Sequence, residues 1–237
     1  MKTNIEFKSI ALNALRGNWG KAVIATLIFA LIISLISGPA AYSSVQLQNE
    51  MSALRTVGTI SPADMLAIQQ SASRTSGLTS LLQFLIIMPI SIGFANAFKR
   101  LVVHGDNQIL VNSFHIGFTN YWRNVWSMLL VSIFTVLWSL LFIIPGIIKL
   151  FSYAMTPYII VDNPELTANE AIDRSRMMMR GHKFDLFWLY LGFIGWFFLC
   201  ILTCGIGFLW LTPYVEAAKA AFYEEVKADY AIHGGLI

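Results

Sequence analysis

Apolar side chains in this chain come in long blocks with no alternation. Ala22 to Ala41, Gly77 to Phe98, Val125 to Ile144 and Phe184 to Thr203 are almost free of charge, Asp185 being the exception near the start of the fourth. Each is close to the roughly 20 residues an α-helix needs to cross hydrocarbon. Two shorter blocks follow at once, Ile147 to Val161 after Pro145-Gly146 and Ile206 to Phe222 after Cys204-Gly205, and they read as return helices. The first of these reaches only about 22 Å at helical rise, so it must be shallow, kinked or helped by a neighbour. The pattern predicts an all-α polytopic membrane protein with about six transmembrane helices, and four spans with re-entrant pieces is the alternative.

Basic residues test that topology independently, because Lys and Arg accumulate in short cytoplasmic loops. Lys2, Lys8, Arg16 and Lys21 precede the first span. Lys99, Arg100 and Arg123 lie between the second and third, and Arg174, Arg176, Arg180 and Lys183 between the fourth and fifth. The connection 42–76 carries only Arg55 and Arg74, balanced by Glu50 and Asp64. Both termini are therefore expected in the cytoplasm. The chain reads as one membrane domain, 1–237, with hairpin units at about 1–104, 105–165 and 166–230 and a partly ordered extracytoplasmic connection at 42–76. Within that connection, Ser61-Pro62-Ala63-Asp64 has the form of a helix start.

The polar segments before the spans have helix signals of their own. Thr3 with Glu6, and Thr167 with Glu170, fit the capping box, and Gly17 and Gly181 supply left-handed stops. Ile10, Ala11, Ala14 and Leu15 form one apolar face. Ala171, Ile172, Ser175, Met178 and Met179 form another, with Asp173, Arg174, Arg176 and Arg180 opposite. Such helices suit the cytoplasmic membrane interface. Three times the chain then runs amphipathic helix, basic or aromatic punctuation, span, turn and return span. The punctuation reads Arg16-Gly17-Asn18-Trp19-Gly20-Lys21, then Tyr121-Trp122-Arg123-Asn124, then Arg180-Gly181-His182-Lys183-Phe184. Thr156-Pro157-Tyr158 recurs as Thr212-Pro213-Tyr214, which marks an internal repeat.

Composition agrees with the pattern. Hydrophobic residues make up 57% of 237 and charged residues 12%, against about 25% charged in a soluble domain, so the apolar excess faces lipid. The net charge of +3 brings no nucleic-acid signature. Cys200 and Cys204 lie inside an apolar run and read as small core residues. Basic residues before Val23 to Ile36, then Ser37-Gly38-Pro39-Ala40-Ala41, mimic a signal peptide. The long patterned segment ahead of them and the spans that follow make this an uncleaved span.

Catalytic chemistry is sought and not found. His104, His115, His182 and His233 show no metal-ligand spacing, and no cofactor is called for. No serine in a span has a histidine partner, and Glu224-Glu225 falls in a charged tail. Lys149, Glu216 and Lys219 read as snorkelling side chains and Asn96 as a helix-packing hydrogen bonder. Pro157 and Pro213 interrupt the return spans and free carbonyls that Thr156, Thr212 or water would satisfy, so kinks or a cavity are expected at Pro145, Gly146, Thr156, Pro157, Tyr158, Thr212, Pro213 and Tyr214. Arg16, Trp19, Lys21, Arg100, Arg123, Arg180 and Lys183 are candidates for anionic lipid headgroups.

Arg16-Gly17-Asn18-Trp19-Gly20-Lys21-Ala22, Ile144-Pro145-Gly146-Ile147-Ile148-Lys149, Tyr153-Ala154-Met155-Thr156-Pro157-Tyr158, Asp162-Asn163-Pro164 and Gly205-Ile206-Gly207-Phe208-Leu209-Trp210 together resemble an uncharacterised bacterial integral membrane family, domain of unknown function 975. More distantly the chain resembles the membrane portion of some glycerophosphodiester phosphodiesterases, without their catalytic domain. The family resemblance implies a bacterial cytoplasmic membrane protein and transfers no reaction, ligand or catalytic residue. The sequence thus reads as a non-enzymatic membrane protein organising lipid or a partner protein, or a homo-oligomer, with a small-solute or lipid permease as the alternative and an enzyme third.

Overall fold

A computed structural model of the chain describes residues 2–57 and 62–233. Regular structure among them is entirely helical. By contacts the chain divides into Met1–Leu27 with Met88–Ile237, and Ile28–Ile87. The second unit holds parts of two long helices, α2 (Trp19–Val57) and α3 (Pro62–His104). At 1.5 Å per residue these measure about 58 and 64 Å, roughly twice the thickness of hydrocarbon. The stretch 42–76, read above as a connection, is instead mostly helix. Polarity marks where a helix leaves lipid, not where it ends, and Gln46-Leu47-Gln48 and Glu50-Met51 are good helix formers in water. Pro62 opens α3 as expected of a proline in a first turn, while Ser61 lies outside the described residues.

The larger unit begins with α1 (Asn4–Leu15). Its capping box is complete: Thr3 accepts from the Glu6 backbone and Glu6 accepts from the Thr3 backbone. Those bonds, the Thr3 backbone N–H first, hold the Glu6 carboxyl below the ordinary glutamate range. Gly17, at φ +80°, ends the turn that follows. α1 buries Phe7, Ala11 and Leu15, spaced four apart, and leaves Ile5 and Leu12 exposed.

After the first units come α4 (Ile109–Phe118), α5 (Tyr121–Leu141), α6 (Ile143–Tyr153), α7 (Thr156–Asp162), α8 (Ala168–Met178), α9 (Lys183–Leu191), α10 (Ile194–Leu202) and α11 (Phe208–His233). Among the described residues, five segments are long and apolar enough to cross a membrane: Trp19–Ile36, Gln83–His104, Tyr121–Leu141, Ile144–Asp162 and Lys183–Leu202. The sixth expected span, 206–222, falls in α11, whose Glu216, Lys219, Glu224 and Glu225 keep it out of that set.

Three close approaches set the packing. Where α3 crosses α4, a Cβ on Gly93 would land on the Ser113 carbonyl oxygen, and one on Gly117 would come within 2.9 Å of the Pro89 carbonyl carbon. α5 and α6 reverse through the single extended residue Phe142. They fit because Gly146 has no Cβ to meet Ser139, whose Cα would be 2.8 Å away. Gly207 lies as closely on Cys200, seven residues earlier, at the α10–α11 reversal. Small residues at such crossings let backbones approach where no hydrophobic force pulls helices together.

Candidate functional site

Of the two interruptions expected at prolines, one is a break between helices, and a second break lies where one continuous span was expected. α6 stops at Tyr153 and α7 begins at Thr156, with Pro157 in its first turn. There proline costs nothing, since first-turn amides have no helical partner. The Ser152 carbonyl at the break accepts from the Ser175 hydroxyl of α8 at 2.8 Å, while Thr156, expected to act locally, is buried with no partner for its hydroxyl among the described residues. Ser175→Ala would leave that carbonyl unpaired and should cost about 1–3 kcal/mol, read as a lower unfolding midpoint in detergent, with Ser175→Thr keeping most of it. The second break, at Gly192–Phe193 between α9 and α10, is closed from α1. Lys8 Nζ donates to the Gly192 carbonyl at 2.6 Å and lies 4.6 Å from the centre of the Phe193 ring. Pro213 stays inside α11.

Between these breaks lies a cavity of about 830 Å³ lined from α5, α6, α7, α9, α10 and α11. Its walls are apolar, including Met128, Phe151, Phe197, Phe208 and Leu211, and Pro157 and Thr212 contribute. Glu216 and Lys219 also line it, with Tyr190. They lie on α11, which packs side by side with α1. Lys219 Nζ stands 5.6 Å from the Tyr158 ring centre. Tyr158 is fully buried, stacked on Tyr223 at 4.8 Å, and its hydroxyl and one Glu216 oxygen have no hydrogen-bond partner among the described residues. Such orphaned buried groups call for an explanation, an unplaced ligand or water among them. Tyr214 lies edge-on to Phe193 at 4.9 Å, and Pro145 and Gly146 sit away from the cavity in the first turn of α6.

A second cluster escaped the sequence reading. Asp162, the last residue of α7, is nearly buried and is paired with Lys99 of α3. It also accepts from Tyr223 Oη at 2.8 Å and from Lys227 Nζ at 2.6 Å, both on α11. The chain just beyond is gripped twice more. Arg123 donates to the Pro164 carbonyl and, at 2.8 Å, to that of Ile160, and Arg174 donates to Asn163 Oδ1 at 3.0 Å. Four helices thus converge on one turn. The available signal was a single carboxylate ending the run Ile159-Ile160-Val161.

The candidate headgroup residues divide accordingly. Arg16, Lys21 and Arg180 are exposed, and Trp19 and Lys183 are half-buried at the starts of α2 and α9. Arg123 is committed to carbonyls, and Arg100 reaches Asn112 Oδ1 at 3.3 Å. Asn112 in turn donates to Asp106, whose carboxyl is held below its usual range first by the Gln108 backbone N–H. α1 and α8, expected on the membrane surface, spend their apolar faces on protein. Phe7 meets Phe222 at 5.4 Å and Lys2 pairs with Glu225, while α8 buries Ala171, Ile172, Ser175 and Met178.

The motifs that carry these features, Ile144 to Lys149 at the reversal, Tyr153 to Tyr158 at the break and Asp162-Asn163-Pro164 at the clamped turn, fall within the match to the profile of a protein family of unknown function, DUF975, over residues 1–153 and 142–230. The chain belongs to the DUF975 family. Neither a curated protein nor a solved structure matches it, and the more distant likeness to glycerophosphodiester phosphodiesterases finds no support in these comparisons. DUF975 membership carries no assigned reaction, so function in this chain has to be argued from the cavity and the clamped turn.

Proposed function

We propose that this DUF975 protein is a non-enzymatic bacterial inner-membrane protein that binds a phospholipid in the cavity between α5, α6, α9, α10 and α11. The observation that carries the reading is the polarity of its lining. From Phe208 to Lys219 the wall along α11 changes from aromatic to charged over about 16 Å, which fits an acyl chain at one end and a headgroup at the other. Lys219 offers a cation, and Glu216 an acceptor without a partner among the described residues. A headgroup that pairs a phosphate with an N–H or O–H donor would satisfy both. The hairpins enter from the cytoplasmic face with both termini on that side, as the basic segments favour, and Arg16, Lys21, Arg180 and Lys183 hold the surrounding anionic headgroups.

Native mass spectrometry of protein purified in mild detergent should show a retained phospholipid. Filling the cavity with Leu211→Trp and Val215→Phe should lower that retained fraction at least five-fold while the protein stays folded by circular dichroism. An unchanged lipid complement in the filled variant would refute the reading. A second reading, a permease working through the same cavity, is favoured by the helix break beside Pro157. Saturable solute uptake by proteoliposomes, lost in the filled variant, would establish it instead.

A further inference from the structure

We infer that the α5–α6 and α10–α11 hairpins do not cross the bilayer but end inside its cytoplasmic leaflet, so that their apolar tips are a surface for lipid chains. The first observation is where exposed apolar side chains lie. Leu140 is 79% exposed and Leu202 83%, and Leu141, Phe142, Ile144 and Ile206 are exposed beside them at the two reversals. No charged residue occurs between Arg123 and Lys149, or between Asp185 and Glu216. A hairpin that crossed would deliver these tips to the far headgroups and water, where polar and interfacial residues belong. Here the tips expose large apolar side chains and carry no charge.

The second observation is depth, measured from charged groups that cannot sit in hydrocarbon. Lys149 Nζ lies 4.5 Å from the centre of the Trp138 ring and shares a small cavity with Asn169, Asp173 and Arg176. Asp173 and Arg176 form an ion pair at 2.7 Å with side chains about half exposed. α8, with four charges in eleven residues, is excluded from the lipid core. It therefore marks the headgroup level. From Lys149 to the tip at Phe142 the helix rises about 10 Å, a third of the roughly 30 Å of hydrocarbon.

The other hairpin gives the same answer from different residues. Lys8, on a helix whose outer face carries Glu6 and Asn13, docks at Gly192–Phe193. Beyond that point α10 adds nine residues, about 14 Å, before the chain turns. α9, on the near side of Lys8, exposes Trp188, an aromatic side chain of the kind that favours the headgroup zone. Two tips of unrelated sequence thus reach between about a third and a half of the hydrocarbon depth. Segments 121–141, 144–162 and 183–202 are long enough to cross by residue count. The last two are broken, and α7 is sealed inside protein with Tyr158, Ile159 and Ile160 fully buried. α5, which is unbroken, has its start tied to protein by Arg123 on the Ile160 carbonyl and Asn124 on the Gly117 carbonyl.

The test uses full-length protein in phosphatidylglycerol–phosphatidylethanolamine vesicles, with nitroxide spin labels at native Cys204 in a Cys200→Ser background. A second label is placed at Phe142→Cys in a cysteine-free chain, and Asn169→Cys serves as the headgroup-level reference. Power saturation compares relaxation by oxygen, which concentrates at the bilayer centre, with that by a water-soluble nickel chelate. Both tip labels should read roughly 10 to 15 Å below the headgroup level set by Asn169, with oxygen dominant. Strong relaxation by nickel at either tip would overturn the inference, whichever face supplies it. Protection from both relaxants would overturn it too, because the tips would then be covered by protein. If lipid retention fails while the tip labels read as stated, the cavity reading falls and this one stands.

Discussion

Asp162→Ala is expected to lower the thermal unfolding midpoint of the purified protein by on the order of 10 °C. The carboxylate pairs with Lys99, whose side chain is 10% exposed, and also receives Tyr223 and Lys227. Removing it leaves a nearly buried ammonium without its counter-ion, a change that costs about 3–5 kcal/mol. In a chain of this length each kcal/mol is worth about 2–4 °C. Asp162→Asn should be milder, since the amide oxygen still accepts one bond. The decisive variant is the double change Lys99→Met with Asp162→Leu, which removes both charges and should recover most of the loss. If Asp162→Ala melts like the parent, the turn is held by Arg123 and Arg174 alone.

Gly93→Ala should be nearly as damaging, by a different route. Its methyl would fall on the Ser113 backbone carbonyl, and the reciprocal Gly117→Ala would strike Pro89. Backbone cannot rotate aside as a side chain does, so α3 and α4 must part. Overpacking of this kind costs about 1–3 kcal/mol or more. Hydrogen exchange should report the change as faster opening of α4 specifically, with the Asp162 turn still protected. Gly195→Ala is the control of opposite sign. Nothing lies within 4 Å of its new methyl, and in the first turn of α10 alanine is favoured over glycine by at most about 1 kcal/mol. Equal losses at Gly93 and Gly195 would mean that the crossing does not depend on backbone contact.

These two predictions also mark the boundary of what the sequence could say. Thr3 with Glu6, Thr167 with Glu170, and the left-handed Gly17 and Gly181 were readable because a cap is settled by residues three or four apart. The apolar blocks were readable because lipid demands them. The Asp162 cluster was not, because its partners lie 61 to 65 residues away, and Lys99 looked like one more cytoplasmic charge. The place of Glu216 and Lys219 on a cavity was hidden for a related reason. Spacing identifies which residues share a face of α11 but not which helices that face meets, here those that line a cavity with it. In the stretch 42–76 the helix start at Pro62 was readable from Ser61-Pro62-Ala63-Asp64, but the extent of helix on either side was not, because polar composition does not mark where a helix ends.

One contact fixes an order of events during synthesis. α1 is made before α11, and the surface it rests on belongs to α11, through Phe7 on Phe222 and, 223 residues apart, Lys2 on Glu225. Lys99 likewise has Asp162 long before Tyr223 and Lys227 arrive to complete that carboxylate. Until α9 and α10 emerge Lys8 has no Gly192 carbonyl to close, and until α11 emerges α1 has no docking face. The membrane can take each hairpin as it emerges, but this part of the structure locks only when α11 reaches α1.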